Sequence, residues 1–380
     1  MTASHQLDAR ARQEFKKFFE YPPQSVAVAP GRMNVIGEHT DYNQGWVLPS
    51  AIDRFIAVAY RPRRDSEIVV KSDRYPAPAR LPRLPDRKSG SWIDYVVGVA
   101  KEIDAHIGMA GGFDAMVVSD LPAGSGLSSS GALEVAFAAA CIASHGVAIS
   151  PLELAQLCQR AENEFVGART GIMDQFTALL ARAGNAILLD CRSLEHEHVP
   201  LPDGRHGWLL ADTRIRHDLA ASAYNERRAQ CEQAAAGLGV ASLRDAQLGD
   251  LDRIADPLIR RRARHVVTEN GRVLQAADAL RRRDPAALGP LLYASHESLR
   301  RDFEVCCPEL DALVELSREL PRVVGARMMG GGFGGCVLVL LESAGIEALE
   351  QHLQMGYTDQ FHRPAEFYRI RSVDGTMTAT

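Results

Sequence analysis

A glycine- and serine-rich segment separates two runs of different periodicity, and this order strongly constrains the fold. Residues 112–119 read as a β-strand, residues 121–131 read LPAGSGLSSSG, and residues 132–145 read as an apolar helix. Backbone N–H groups at a helix N-terminus lack intrahelical partners, and the helix dipole favours anions there. Glycines allow close approach to a phosphate, and serine hydroxyls can donate to it or bind Mg²⁺. The segment lacks the G-K-[ST] ending of a Walker A loop but still predicts a phosphate site.

A second polar segment, residues 30–43, reads PGRMNVIGEHTDYN and follows the apolar, β-prone run at residues 26–29. It concentrates hydrogen-bonding side chains in one short loop: Arg32, Asn34, Glu38, His39 and Asp41. A site that holds a polyol by many directed hydrogen bonds requires such a mixture. The alternative is a solvated loop with a helix cap.

A third glycine-rich segment, residues 328–336, reads MMGGGFGGC and leads into an apolar strand at residues 337–341. Five glycines leave its backbone almost bare, which permits close approach to a ligand or to the other phosphate loop. The alternative is a tight buried turn.

Composition excludes several classes of protein. The 380 residues suffice for two domains, and the net charge of −5 argues against a general nucleic-acid binder. The seven cysteines are odd in number and include no C-x-x-C pair, so reduced thiols in a cytoplasmic protein are expected. The N-terminus has no apolar signal core, and no apolar run has membrane-spanning length. We expect a soluble, cytoplasmic protein without nucleic-acid or membrane partners.

Strand and helix patterns alternate along the chain, which predicts an α+β fold. Composition turns polar around residues 192–207, and the pattern then restarts. We therefore predict two domains, residues 1–195 with the first two polar loops and residues 196–380 with the third.

The three loops, in this order, resemble those of the GHMP kinase superfamily. Within it, residues 30–49 (PGRMNVIGEHTDYNQGWVLP) resemble the galactokinase signature, and the segments GIMDQF, YNERRAQCE and SHESLRRDFEVCCPELD are similar to galactokinase segments. The likeness covers most of the chain. The phosphate loop departs from the family pattern at Ala123, Ser125 and Gly131, and Thr170 replaces a frequent cysteine before Gly171.

The resemblance implies a two-domain GHMP kinase-like fold with the active site in the interdomain cleft. It implies ATP-dependent phosphorylation of the anomeric hydroxyl of α-D-galactose. Asp174 would act as general base or orienting acceptor, and Arg32 would lie beside it and stabilise charge on the transferred phosphoryl group. The sugar would be bound by residues from several segments, with Asp41 at the axial 4-hydroxyl: Glu38, His39, Asp41, Gly171, Asp174 and Tyr224.

ATP would be held by an aromatic side chain near adenine and by the phosphate loop: Trp92, Gly124, Gly126, Leu127, Ser128, Ser129 and Ser130. Ser130 and Glu162 would bind Mg²⁺, although Ser128 or Ser129 could take the serine's place. Trp92 and Tyr224 could instead be packing residues, and Asp174 alone could be a carboxylate that suits a helix N-terminus. We expect a monomer whose partners are galactose and ATP.

Two alternatives remain open. The same chemistry could serve a different sugar, such as N-acetylgalactosamine or arabinose, because pocket volume is not encoded in a motif. The chain could also be a sugar- and ATP-binding sensor without catalysis, although the serine loop and Asp174 are both present.

Overall fold

A computed structural model of the chain describes residues 2–109, 111–122, 124–202, 204–216 and 220–379. Ala123 of the predicted phosphate loop lies outside the described residues. The described helices are α1 (Ala3–Phe19), α2 (Ile93–Ile107), α3 (Ser129–His145), α4 (Pro151–Arg160), α5 (Met173–Leu180), α6 (Ala220–Leu238), α7 (Pro257–Arg281), α8 (Pro285–Ser298), α9 (Pro308–Arg318) and α10 (Ile346–Phe361). None of these helices combines the length and hydropathy needed to cross a membrane.

The described strands are β1 (Ser25–Asn34), β2 (Trp46–Val47), β3 (Pro49–Pro62), β4 (Ile68–Ser72), β5 (Ala79–Leu81), β6 (Phe113–Ser119), β7 (Asn185–Asp190), β8 (His196–Pro200), β9 (His206–Asp212), β10 (Val323–Met329), β11 (Cys336–Glu342), β12 (Glu366–Ile370) and β13 (Met377–Ala379). They form three sheets, in the orders β13-β1-β3-β6-β4-β5, β10-β11-β9-β12 and β2-β7-β8. Two π-helical turns, Ala161–Val166 and Leu299–Phe303, extend α4 and α8.

The central strands of the six-stranded sheet are buried on both faces because helices cover each of them. Val26 and Val28 of β1 pack in one core cluster with Leu7 and Phe15 of α1. The alternating residues of β1, such as Ala27, face the cluster that contains α2 and α3. This period of two is what a strand between two helical layers requires.

The four-stranded sheet joins the two halves of the chain. Leu210 and Leu338 face the large cluster that also contains β1 and β3, whereas Leu209 and Val337 face a second cluster beneath the C-terminal helices. The two halves therefore share one continuous apolar core, and their relative position is fixed by packing.

The predicted division at residue 195 stays a prediction, and strand pairing among the described residues crosses it. His196–Pro200 pairs with Asn185–Asp190, and the C-terminal Met377–Ala379 pairs with β1. The chain thus returns to its first sheet at its C-terminal end.

The polar segment at residues 30–43 differs from its predicted loop form. Arg32 and Asn34 lie in strand β1, paired with Ala51 and Pro49 after a register shift beyond Pro30. Arg32 is only 6% exposed and Asn34 is fully buried. Because a strand gives both side chains fixed directions, the start of the site is more rigid than a loop would be.

We expect Leu338→Ala to lower the free energy of unfolding by about 2–5 kcal/mol, because it opens a cavity where the two halves share their core. Leu338 is fully buried. Denaturant unfolding measures the change. Leu248→Ala is the control, since Leu248 is 56% exposed, and its effect should stay within about 0.5 kcal/mol. Equal effects of the two substitutions would contradict the shared core.

Candidate active site

The phosphate loop leads into α3 as predicted, but the helix begins at Ser129 rather than at Ala132, so Ser129, Ser130 and Gly131 lie in its first turn. Gly124, Gly126 and Ser128 have φ of +64°, +75° and +61°, a left-handed conformation that favours glycine at the first two positions. The Ser128 side chain forms no cap on α3, and its buried Oγ has no hydrogen-bond partner. The first N–H groups of α3 therefore remain available for an anion.

The third glycine loop packs directly on the phosphate loop. A Cβ on Gly330 would lie 3.1 Å from the carbonyl oxygen of Gly126 and 3.2 Å from its Cα, and Gly330 has φ of +83°. Gly332, Gly334 and Gly335 also have positive φ. Bare backbone is needed here because two loops from opposite halves of the chain approach each other.

Arg32 connects three parts of the site. Its Nε donates to Asp174 Oδ1 at 2.9 Å, its Nη1 donates to the carbonyl oxygen of Gly126, and its backbone N–H donates to the carbonyl oxygen of Leu127 at 3.2 Å. The Asp174 side chain is 24% exposed, whereas that of Arg32 is 7% exposed. Asp174 therefore presents a carboxylate to the cleft from the first turn of α5, held from behind by a buried cation.

The first turn of α3 lies against the same carboxylate. A Cβ on Gly131 would lie 2.8 Å from Ser128 Oγ and 3.0 Å from Asp174 Cβ. Gly131 thus allows the N-terminal turn of α3 and the candidate base to approach closely.

Glu38 forms a buried link between the two halves of the chain. One oxygen accepts a hydrogen bond from Arg327, and the other accepts from the backbone N–H of Gly330 at 3.0 Å. Burial raises the pKa of Glu38 above its usual range, although Arg327 and the Gly330 N–H oppose that shift. Glu38 was predicted to contact a sugar hydroxyl. Both its oxygens already have protein partners, and the sugar contact stays a prediction.

His39 is an uncharged side chain at the cavity wall. Its Nδ1 lies 2.9 Å from the Tyr42 hydroxyl, and its buried Nε2 has no hydrogen-bond partner. Burial, reinforced by the neighbouring His265 ring, lowers the pKa of His39 to about 3. A neutral imidazole with one unpaired nitrogen can exchange a hydrogen bond with a ligand hydroxyl.

Asp41 and Gly171 are in tight contact. A Cβ on Gly171 would lie 2.1 Å from Asp41 Oδ2, so only glycine leaves that carboxylate in place. Burial, and then the nearby Asp174 carboxylate, raise the pKa of Asp41 to about 6. Tyr224 on α6 stands nearby, with its ring centroid 5.3 Å from that of His39.

These residues enclose a cavity of about 260 Å³. Its walls combine the three glycine-rich or polar segments with α5 and α6: Arg32, Glu38, His39, Asp41, Gly126, Leu127, Ser128, Ser129, Ser130, Thr170, Gly171, Met173, Asp174, Tyr224, Gly330 and Gly331. Gly124 lines an adjoining cavity of about 360 Å³ with Arg216 and the third loop. The predicted site residues therefore converge, with two exceptions.

Trp92 is the first exception. It immediately precedes α2 and stacks on Tyr75, with ring centroids 5.1 Å apart and planes 3° from parallel. It lines neither cavity among the described residues. Its contact with adenine stays a prediction.

Glu162 is the second exception, because it lies behind the cavity wall. It is 3% exposed in the π-helical turn after α4 and accepts hydrogen bonds from Thr170 Oγ1 and Gln175 Nε2. The Ser130 hydroxyl interacts with the same carboxylate and opposes the rise in its pKa. Burial raises the pKa of Glu162 to about 7. A buried carboxylate beside a serine hydroxyl at a phosphate loop supplies the hard oxygen donors that Mg²⁺ prefers, so this pair fits that cation.

Several buried polar residues around the site were not singled out from the sequence. Arg327 is fully buried and also donates to the carbonyl oxygens of Asn34 and Val35. Glu269 accepts from the Gly37 N–H at 3.0 Å, and His265 Nε2 lies 3.1 Å from the Glu38 carbonyl oxygen. The signal for Arg327 was a charge within an apolar strand, immediately before the third glycine loop.

Comparison with known proteins first gives the class. The family of GHMP kinases N terminal domains matches residues 94–182, and the GHMP kinases C terminal family matches residues 276–357. The fold and the cleft between the glycine loops are those of a GHMP kinase, which confirms the fold class predicted from the sequence.

The Galactokinase galactose-binding signature matches residues 13–62. Galactokinases of Bos taurus and Homo sapiens are each 44% identical to this chain, over 99% and 97% of it and over 98% and 96% of their own lengths. The crystal structure of Lactococcus lactis galactokinase complexed with galactose matches with a TM-score of 0.92 and 32% identity, over 96% of this chain and 98% of that one. The chain belongs to the galactokinase family, as the sequence predicted, and ATP is its co-substrate.

The raised pKa of Glu162 predicts a pH-dependent effect on stability. Between its ordinary pKa of 4.5 and about 7, the folded chain retains a proton that the unfolded chain loses, so the free energy of unfolding falls as pH rises. Glu162→Gln removes this fall in the free energy of unfolding, because a glutamine side chain has no proton to release. The variant should match the wild type near pH 4 and exceed its unfolding free energy by roughly 3 kcal/mol at pH 8.

Denaturant unfolding in EDTA, without nucleotide, measures this difference. Glu153→Gln on α4 is the control, since the Glu153 side chain is 50% exposed and should give no pH-dependent gain. A Glu162→Gln gain that does not grow with pH would contradict the burial of an ionisable carboxyl group.

Proposed function

We propose that the chain transfers the terminal phosphoryl group of ATP to the anomeric hydroxyl of α-D-galactose, which yields galactose 1-phosphate and ADP. Membership of the galactokinase family supports the reaction. The observation that supports the site is that Asp174, held by Arg32, and the N-terminal turn of α3 line one cavity. A proton acceptor and an anion-binding helix end facing one space are what phosphoryl transfer to a hydroxyl requires.

In this proposal Asp174 accepts the proton of the anomeric hydroxyl. The hydroxyl oxygen then bonds to the terminal phosphorus of ATP, and the bond from that phosphorus to the bridging oxygen breaks. ADP leaves with the bonding electrons, and the proton on Asp174 is released to solvent. Arg32 balances the charge of Asp174 and stabilises negative charge on the transferred group.

The sugar hydroxyls would be bound by the side chains around Asp41. Gly171 leaves room for the Asp41 carboxylate, His39 offers its unpaired Nε2, and Tyr224 closes the wall opposite. We assign Asp41 to the axial 4-hydroxyl. An acceptor fixed at that position favours galactose over sugars whose 4-hydroxyl is equatorial.

The phosphates of ATP would lie over Ser128, Ser129 and Ser130 at the start of α3. Ser130 and Glu162 would hold Mg²⁺, which neutralises phosphate charge when bound. Monomeric state, cytoplasmic location and the Trp92 contact with adenine remain predictions.

We expect Asp174→Asn to lower kcat by ~10²–10⁴-fold, because the amide keeps the shape but accepts no proton. Galactose affinity, measured by calorimetry, should change less than ~3-fold. A coupled ADP-release assay with galactose, N-acetylgalactosamine, arabinose, glucose and mannose gives the rate and the sugar preference together. Asp252→Asn is the control, since that side chain is 91% exposed. Retention of more than about a tenth of kcat by Asp174→Asn would remove the base role, and faster turnover of another sugar would overturn galactose as the substrate.

We expect Gly171→Ala to raise the KM for galactose ~10–100-fold, because the added methyl group displaces Asp41 and weakens a charge-assisted hydrogen bond. The KM for ATP should change less than ~3-fold, since Asp41 does not face the phosphate loop in this proposal. Gly237→Ala in α6 is the matched control, because its Cβ would meet no atom within 4 Å. An equal loss of affinity for both substrates would show that the substitution distorts the whole site.

A further inference from the structure

A buried polar network lies beneath the cavity residues Ser130 and Asp174. Gln175 Nε2 donates to Glu134 Oε2 at 2.8 Å and to Glu162 Oε2 at 2.9 Å. Glu134 and Gln175 are fully buried, and Glu162 is 3% exposed. One amide nitrogen thus joins α3, α5 and the π-helical turn after α4.

This arrangement is an unfavourable way to build a core. Two carboxyl groups are held away from water around one amide, and Glu134 Oε1 and Gln175 Oε1 have no hydrogen-bond partner. Three apolar side chains of similar volume would stabilise the fold at least as well. Buried polar groups with incomplete partners require an explanation, and perturbed ionisable groups cluster at functional sites.

The hydrogen bonds identify Glu162 as the residue that this network orients. Its Oε2 accepts from both Thr170 Oγ1 and Gln175 Nε2. These two donors fix the carboxylate plane, and they leave Oε1 for other partners. Ser130, in the first turn of α3, interacts with the same carboxylate.

Glu134 can act on Glu162 only through the side-chain amide of Gln175. It lies one helical turn after Ser130 on α3, and its carboxylate accepts a hydrogen bond from Gln175. By accepting one N–H of the amide, Glu134 turns the other N–H toward Glu162. Gln175 is suited to this because its NH₂ group has two donors and carries no charge.

We propose that Gln175 and Glu134 are positioning residues, which hold the Glu162 carboxylate in the orientation that binds a divalent cation with the nucleotide. The inference rests on the proposed function, in which Ser130 and Glu162 form the cation site. Gln175 contacts Glu162, and Glu134 acts through Gln175. Orientation of a carboxylate ligand by a hydrogen-bonded neighbour is a general requirement of metal sites.

The network also links the candidate base, Asp174, to the candidate cation ligand, Glu162. Asp174 and Gln175 are successive residues of α5. The first presents its carboxylate to the cleft, and the second points into the interior. The same helical turn therefore carries the candidate base and the amide that holds the candidate cation ligand.

The test measures cation affinity apart from turnover. Mn²⁺, which can replace Mg²⁺ at oxygen sites, is titrated by electron paramagnetic resonance into the protein saturated with a non-hydrolysable ATP analogue. We expect Gln175→Met to lower the affinity for Mn²⁺ at least ~10-fold, which is a typical loss when a residue that hydrogen-bonds to a metal ligand is replaced. Glu134→Met should produce a similar loss. Glu134→Gln should stay within ~3-fold of the wild type, because its amide oxygen still accepts from Gln175.

The double variant Glu134→Met/Gln175→Met separates the proposed path from general damage. If Glu134 acts through Gln175, the double variant binds Mn²⁺ no more weakly than Gln175→Met alone. Additive losses would overturn that path. Gln13→Met, the same substitution at an exposed position of α1, is the control and should change nothing.

Galactose binding without nucleotide, measured by calorimetry, reports whether each variant retains the folded sugar site. Failure of the wild type to bind Mn²⁺ with the analogue would overturn the proposed cation site itself. Tight Mn²⁺ binding by the wild type and unchanged binding by Gln175→Met would overturn only the positioning role. A Gln175→Met variant that loses galactose and Mn²⁺ binding together would assign the network to folding and would also overturn the inference.

Discussion

The buried Arg32 side chain is the interaction on which the rest of the site depends. Its guanidinium donates to the Asp174 carboxylate at 2.9 Å and to the carbonyl oxygen of Gly126. Its backbone N–H donates to the carbonyl oxygen of Leu127. One residue of a strand therefore sets the distance between the candidate base and the phosphate loop. A guanidinium can do this because its donors form a planar fork with fixed directions. A flexible ammonium group would hold fewer partners in place.

The second constraint joins the halves of the chain. Glu38 binds Arg327 with one oxygen and the Gly330 N–H with the other, so the polar segment that follows β1 is fastened to the third glycine loop. Below this link, the shared core around Leu338 fixes how the two halves meet. The cleft is therefore positioned by the buried Glu38–Arg327 ion pair and by the apolar packing around Leu338. A buried pair of this kind contributes geometry more than stability, because desolvation offsets much of its attraction.

Local sequence patterns predicted much of the architecture. The strand predicted at residues 112–119 lies at Phe113–Ser119, and the helix predicted at residues 132–145 lies at Ser129–His145. Phosphate-loop glycines and serines were found from the strand and helix around them. The strand pairing that returns Met377–Ala379 to β1 was not predicted, because three residues carry too little pattern to name a partner 350 positions away. The extension of β1 to Asn34 was also missed, since a polar segment resembles a loop until its pairing with β3 is known.

The sequence by itself determined which chemical groups are present and the family to which they belong, because glycine-rich turns and a dense polar motif are local features of the chain. Only the tertiary structure decided what each group touches. Glu38 was expected at the sugar and is joined to Arg327 and Gly330, whereas Glu162 lies behind the wall with Gln175. The physical reason is that burial, pKa and hydrogen-bond partners arise from residues far apart in the chain. Such contacts leave no periodic signal in a single sequence, and they exist only once the apolar core has brought the segments together.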